Sequence, residues 1–336
     1  MKASIISKII LLVCILCLIA GIYTVDKHKP YNEPKKANSS KNIITNANKV
    51  AVLELEGAIA SSYESGLFST ETNAPALLKN LSAIQNDKEI KGVIIKMNTP
   101  GGTVGMSQNI YNQIMKLKKT KPVITVIDDV AASGGYYIAS ASDRIIAQAG
   151  SLTGSIGVIF SFMDYHNLLV NKLNVSPVVI KSGKFKDIGS STREMTAEEK
   201  QLMQDIVDDS YGQFLEAITN GRINRNDEYK VEKTALTAQN LRSYADGRVF
   251  TGKTAQKLGF VDTIGDVDTA KTMIEKMVQQ KYSNALPVKL VNYGKKNSFS
   301  EYFSSLAEYN SKSNINLNNF VPTSMILSRK PLYLWE

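Results

Sequence analysis

Only two cysteines, two histidines and one tryptophan occur in these 336 residues, and the first two shortages exclude the most. Cys14 and Cys17 both lie inside the first apolar run, so the chain has neither a disulfide framework nor a cysteine metal site. His28 stands among lysines and His166 lies in Asp164-Tyr-His-Asn-Leu, so no Ser-His-Asp triad can be assumed and histidine is nearly excluded as a general base by supply. No metal and no organic cofactor is expected. A basic face on the folded part is also lacking. The net charge is +9, but residues 1–49 hold eight Lys and two acids and residues 285–336 hold six Lys/Arg and three acids, which leaves 26 of each sign between them. A nucleic-acid protein carries its basic patch on the folded domain, so nucleic acid is not expected as a partner.

Residues 9–25 are uncharged and mostly apolar, and with Ile5 and Ile6 they reach the length of a spanning helix once Lys8 snorkels. The run reads as a transmembrane anchor behind a short cytoplasmic start, residues 1–8. A cleavable signal is the rival, but the run exceeds an ordinary signal core and Leu18 spoils a small-residue cleavage site before Gly21. Residues 26–48 are rich in Lys, Asn, Ser and Pro and suit a flexible tether. The folded body is expected over residues 49–280, followed by an Asn/Ser-rich tail over 281–336.

Within the body, Val50-Ala-Val-Leu-Glu-Leu, Gly92-Val-Ile-Ile-Lys-Met and Pro122-Val-Ile-Thr-Val-Ile are short β-branched runs that read as buried parallel strands. Helices are predicted between them, one with Leu77, Leu78, Leu81 and Ile84 recurring at helical spacing and one over 107–118 with Ile110, Ile114 and Leu117 inward. This alternation predicts an α/β fold built from βαβ units. Further strands are predicted at 144–147, 157–160 and 177–180, with a helix near 165–173 between the last two. Thr196-Ala-Glu-Glu predicts a capping box opening a long helix, with Leu202, Ile206, Tyr211, Phe214 and Ile218 on one face and Gly221 as its stop. That apolar stripe is either a core face or an oligomer contact.

The chemistry concentrates in four segments. Ala131-Ala-Ser-Gly-Gly-Tyr-Tyr places Ser133 between an apolar strand and glycines that let the backbone bend and a substrate approach, so Ser133 is the candidate nucleophile. Asn98-Thr-Pro-Gly-Gly102 follows another strand, and its glycine amides could hold an oxyanion or simply build a turn. With histidine excluded, the base would be a lysine kept neutral by burial. Lys186, in Ser182-Gly-Lys-Phe-Lys-Asp-Ile-Gly, is the first choice, with Lys181 and Lys184 as neighbouring alternatives. Thr153-Gly-Ser-Ile-Gly157 adds Ser155, either a lysine-orienting hydroxyl or a turn residue.

In this order, Pro100-Gly-Gly, Ala132-Ser-Gly-Gly-Tyr-Tyr, Leu152-Thr-Gly-Ser-Ile-Gly-Val, Lys184-Phe-Lys-Asp-Ile-Gly and Ala245-Asp-Gly-Arg-Val-Phe-Thr-Gly resemble the signal peptide peptidase A family, within the ClpP/crotonase-like group, over about residues 50–270. One copy of each block is similar to the short bacterial form. The resemblance implies a Ser-Lys dyad of Ser133 and Lys186, with Ser155 positioning the lysine and the amides of Gly102 and Gly134 forming the oxyanion hole. It implies a serine endopeptidase that degrades remnant signal peptides after their release. It further implies a ring-shaped homo-oligomer whose neighbouring subunits complete each site. The protein would be held by a single pass in the cell (inner) membrane, with the catalytic domain on the extracytoplasmic side. A crotonase-like acyl-CoA enzyme and a catalytically inactive membrane scaffold are the alternative readings.

Overall fold

The computed structural model describes residues 47–61, 73–224 and 235–294, and the backbone of 332–334. The apolar run at 9–25 and its tether lie outside the described residues. Among the described residues no helix is long and apolar enough to cross a membrane.

The chain runs β1 (Asn48–Glu56), α1 (Ala74–Asn86), β2 (Ile90–Thr99), β3 (Gly101–Thr103), α2 (Val104–Leu117), β4 (Val123–Ala132), α3 (Gly134–Ala139), β5 (Arg144–Ala147) and β6 (Leu152–Gly154). Beyond a long stretch without strands come α4 (Ala197–Ile218), α5 (Ala238–Tyr244), β7 (Val249–Thr251), α6 (Gly252–Leu258), β8 (Thr263–Ile264), α7 (Val267–Tyr282) and β9 (Val288–Asn292). Strands β7-β6-β4-β2-β1-β9 lie side by side in that order, and β5 pairs with β4 and β8. Every pairing in this sheet is parallel except β6 with β7, so the sheet is mixed and the α/β expectation holds. The outer strand β9 comes from chain beyond residue 280.

The β-branched runs are apolar on both faces because both faces are covered. On one side Ala51, Leu53, Val93, Ile95 and Ile127 pack with Leu77, Leu81 and Ile84 of α1 and Ile110 and Ile114 of α2. On the other, Val50, Ile94, Ile124, Val126 and Ile146 meet Ala270, Ile274 and Val278 of α7. This is the two-layer cover that parallel sheets require.

Three expectations are corrected between β6 and α4. Residues 157–160 and 177–180 form no named strands. Val178 is 85% and Ile180 97% exposed, and a β-branched run becomes a strand only where a neighbour accepts its hydrogen bonds. The helix near 165–173 is mostly a π-helical turn, Leu168–Lys172. The long helix opens with the Thr196/Glu199 capping box as predicted, but its apolar stripe is divided. Phe214 and Ile218 are fully buried, whereas Leu202 and Ile206 are each more than a third exposed.

Candidate active site

The site is built at the carboxyl ends of β2, β4 and β6, the edge of a parallel sheet where ligands gather because the following loops and helix starts turn outward. The last residue of β4, Ala132, pairs with Gly154 at the end of β6, and the Ser133 amide donates to the Gly154 carbonyl at 2.9 Å. Ser133 and Ser155 therefore follow paired residues on adjacent strands, one strand spacing of about 5 Å apart in backbone terms. Both are forced into positive φ, 52° and 48°. Non-glycine residues adopt that conformation at a cost of roughly 1–3 kcal/mol and keep it where the surroundings over-determine it.

Ser133 caps α3 with φ 52° and ψ −117°, a sharp strand-to-helix turn. Glycine is required next to it, because a Cβ on Gly135 would lie 2.7 Å from Cγ2 of Thr99. The Ser133 hydroxyl is buried and has no hydrogen-bond partner among the described residues. An unpaired buried hydroxyl is unfavourable by about 1–3 kcal/mol, which marks a group held ready for a partner. The Gly134 amide beside it belongs to the first turn of α3, whose amides have no intrahelical acceptor.

Gly102 is oriented by Ile59. The Ile59 amide donates to the Gly101 carbonyl at 2.8 Å and the Thr103 amide to the Ile59 carbonyl at 2.7 Å. Strand alternation then turns the Gly102 amide to the opposite edge. There it faces a last strand, β10 (Leu332–Leu334), which pairs antiparallel with β3 at Tyr333 and Gly102. Thr99 shapes the turn, donating to the Gly57 carbonyl at 2.6 Å and accepting from the Gly101 amide at 3.1 Å. Thr99 and Ile59 escaped the sequence reading; only the position of Thr99 directly before Pro100-Gly-Gly hinted at a role. A Cβ on Gly102 would lie 2.1 Å from the Ile59 carbonyl oxygen. Gly102→Ala is therefore expected to shift β3 and displace the Gly102 amide, with a loss of stability of about 1–3 kcal/mol that thermal unfolding measures.

Lys186 lies in the segment between β6 and α4. Its side chain is exposed, on a run of turns in which its amide donates to the Gly183 carbonyl at 3.1 Å and the Ile188 amide to Phe185 at 3.1 Å. The alternatives Lys181 and Lys184 are engaged in ion pairs, with Asp187 at 2.5 Å and with Glu198. His166 bonds through Nδ1 to the Thr192 carbonyl at 3.0 Å, in keeping with a non-catalytic place. Thus the strand ends gather Ser133, Ser155, Gly102 and Gly134, while Lys186 is exposed on a run of turns. Among the described residues no group of His, Cys, Asp and Glu could hold a metal ion.

The sequence matches peptidase family S49 over residues 115–281 and the Clp protease family over residues 65–149. It is 38% identical over 223 residues to the putative protease slr0021 of Synechocystis, covering 66% of this chain and 72% of that one. It is 36% identical over 246 residues to a putative signal peptide peptidase SppA of Enterococcus faecium, covering 73% and 67%. Protease 4 of Haemophilus influenzae is 31% identical over 242 residues, 71% of this chain and 36% of that protein.

Proposed function

Since this chain belongs to peptidase family S49 and is a serine peptidase, we propose that Ser133 is its nucleophile and that the base is Lys186 supplied by a neighbouring copy. The observation that carries this reading is the buried Ser133 hydroxyl with no partner among the described residues. Lys186 meanwhile lies beyond Val178, Val179 and Ile180, a run more than half exposed that a second copy would cover. Large contiguous apolar exposure on a soluble body marks a contact surface.

In the reaction, the free amine of Lys186 takes the Ser133 proton as Oγ bonds to the scissile carbonyl carbon. The carbonyl oxygen becomes an oxyanion between the Gly102 and Gly134 amides. Collapse of the intermediate breaks the C–N bond, and the lysine returns the proton to the leaving amine. Water, deprotonated by the same amine, then releases the acyl group and restores Ser133. Ser155, beside Ser133, orients the amine. An extended peptide suits the cleft because β3 accepts an antiparallel strand along the edge to which the Gly102 amide points.

The substrates proposed are remnant signal peptides, cleaved by a ring-shaped assembly. The apolar run at 9–25 anchors it in the cell membrane with the peptidase body on the extracytoplasmic side. The name of the Enterococcus faecium relative and the apolar run support this placement.

The test mixes two inactive variants. Ser133→Ala retains the lysine and Lys186→Ala retains the serine, so co-assembly regenerates sites only where the two groups come from different chains. Random mixing at equal amounts is expected to restore about a quarter of wild-type activity, since each site draws one group from each of two neighbours. No recovery in verified mixed assemblies would refute the shared site.

A further inference from the structure

We propose that Arg193 is a positioning residue for the lysine turn, clamping Asp187, the neighbour of Lys186, to the start of α4. This rests on the assignment of Lys186 as base. Among the described residues the turn pairs with no strand; its backbone bonds are mostly local, including the Ser190 amide to the Asp187 carbonyl at 3.0 Å, and just beyond it the Tyr165 amide donates to the Ser191 carbonyl at 2.7 Å. Arg193 adds a side-chain anchor. Its Nε and Nη2 donate to the two carboxylate oxygens of Asp187 at 2.8 Å each, and Nη2 also donates to the Asp187 carbonyl at 3.3 Å. On its other side Nη1 and Nη2 donate to Glu199 at 2.8 and 2.5 Å. Glu199 in turn accepts from the Thr196 amide at 2.9 Å, so the clamp ends on the capping box of α4. Only the planar guanidinium fork can grip two carboxylates at once.

The network is also more enclosed than its surroundings. Glu199 is 3% and Asp187 12% exposed at the side chain, on a face where Lys184 and its partner Glu198 are more than half exposed. Arg193 and Lys181 draw the Asp187 carboxyl well below its usual range, and Arg193 pulls that of Glu199 down to about 2. The consequence falls on Lys186. The clamp holds the Asp187 backbone and side chain together, and so fixes the point from which the preceding side chain, that of Lys186, leaves the turn. The other charged or titratable groups around the turn are Lys181 and Lys184 on the turn itself, Glu198 and Glu199 on α4, and His166 at the Thr192 carbonyl.

The experiment measures kcat and KM for peptide hydrolysis by the assembled protein, with thermal stability and assembly size alongside. Arg193→Gln is expected to lower kcat about 100-fold through misplacement of the lysine turn, with KM within about threefold and assembly size unchanged. Arg193→Lys keeps the charge and loses the fork, so kcat falls there too. Asp187→Asn strips the same clamp from the other side and lowers kcat with KM kept, a result that stands even if Arg193→Gln does not fold. Wild-type kcat in Arg193→Gln would overturn the clamp. So would a loss of kcat that follows thermal stability and assembly size across the three variants. Activity in Lys186→Ala would instead remove the base assignment and the clamp with it.

Discussion

Ser133→Ala is expected to lower peptide hydrolysis by about 10⁴-fold or more, the scale lost when the nucleophile of a serine peptidase is removed, and to leave the fold intact. The second half of that expectation comes from the structure. The hydroxyl is buried and makes no hydrogen bond to the described residues, so deleting it removes an unsatisfied polar group and opens space for a single oxygen. Stability should therefore be unchanged or higher by about 1 kcal/mol. The strain at φ 52° is common to Ser and Ala and cancels in the comparison. A fluorogenic peptide assay and thermal unfolding on the same preparation measure both quantities. A fluorophosphonate probe should label wild type at Ser133 and leave the variant unlabelled. Hydrolysis by Ser133→Ala within tenfold of wild type would remove Ser133 from the mechanism.

Breaking the buried pair behind the site is expected to cause the largest loss of stability. Arg222 is fully buried at the side chain and grips Asp262 with both terminal nitrogens at 2.9 Å. Asp262 also accepts from the Ile145 amide at 2.7 Å, the first turn into β5. Arg222 sits on a π-helical turn, Thr219–Ile223, that continues α4. Beside it Gly221 packs so closely on the end of the nucleophile's helix that a Cβ would lie 2.0 Å from the Ser140 carbonyl oxygen. Arg222→Met leaves a carboxylate buried without its counter-charge and should cost about 3–5 kcal/mol. Replacing both partners, Arg222→Met with Asp262→Leu, should recover much of that, because no orphaned charge remains. Urea denaturation of the single and double variants measures the difference. Equal losses in both would show that the pair acts through packing and not through charge.

Strands β1, β2, β4 and β5 and helices α1 and α2 were legible in the sequence because each is a local pattern, whereas β3 was read only as a glycine turn. The β-branched runs at 50–55, 92–97 and 122–127 became β1, β2 and β4, and of the residues that the spacing marked in α1 and α2 only Leu78 is not fully inward. The reading failed where the same local signal had no partner. Pro177-Val-Val-Ile180 has strand composition and stands exposed, because among the described residues no strand lies beside it. Gly221 was read only as the stop of a helix and Arg222 was not singled out; nothing in Asn220-Gly-Arg-Ile223 indicates that its charge meets Asp262 forty residues later. The division of the α4 stripe into a buried end at Phe214 and Ile218 and an exposed end at Leu202 and Ile206 was hidden for the same reason.

By itself the chain's order of residues determined which chemistry is available: serines between glycines, lysines in place of histidines, and two glycine turns that follow strands. Composition and spacing carry that information because supply and backbone freedom are properties of the residues themselves. The meeting of these groups was decided by the tertiary structure alone. Ala132 pairing with Gly154 sets Ser133 beside Ser155, Ile59 turns the Gly102 amide outward, and Arg193 ties the lysine turn to α4. Such pairings depend on which distant surfaces bury one another, a sum over the whole core that no local stretch encodes.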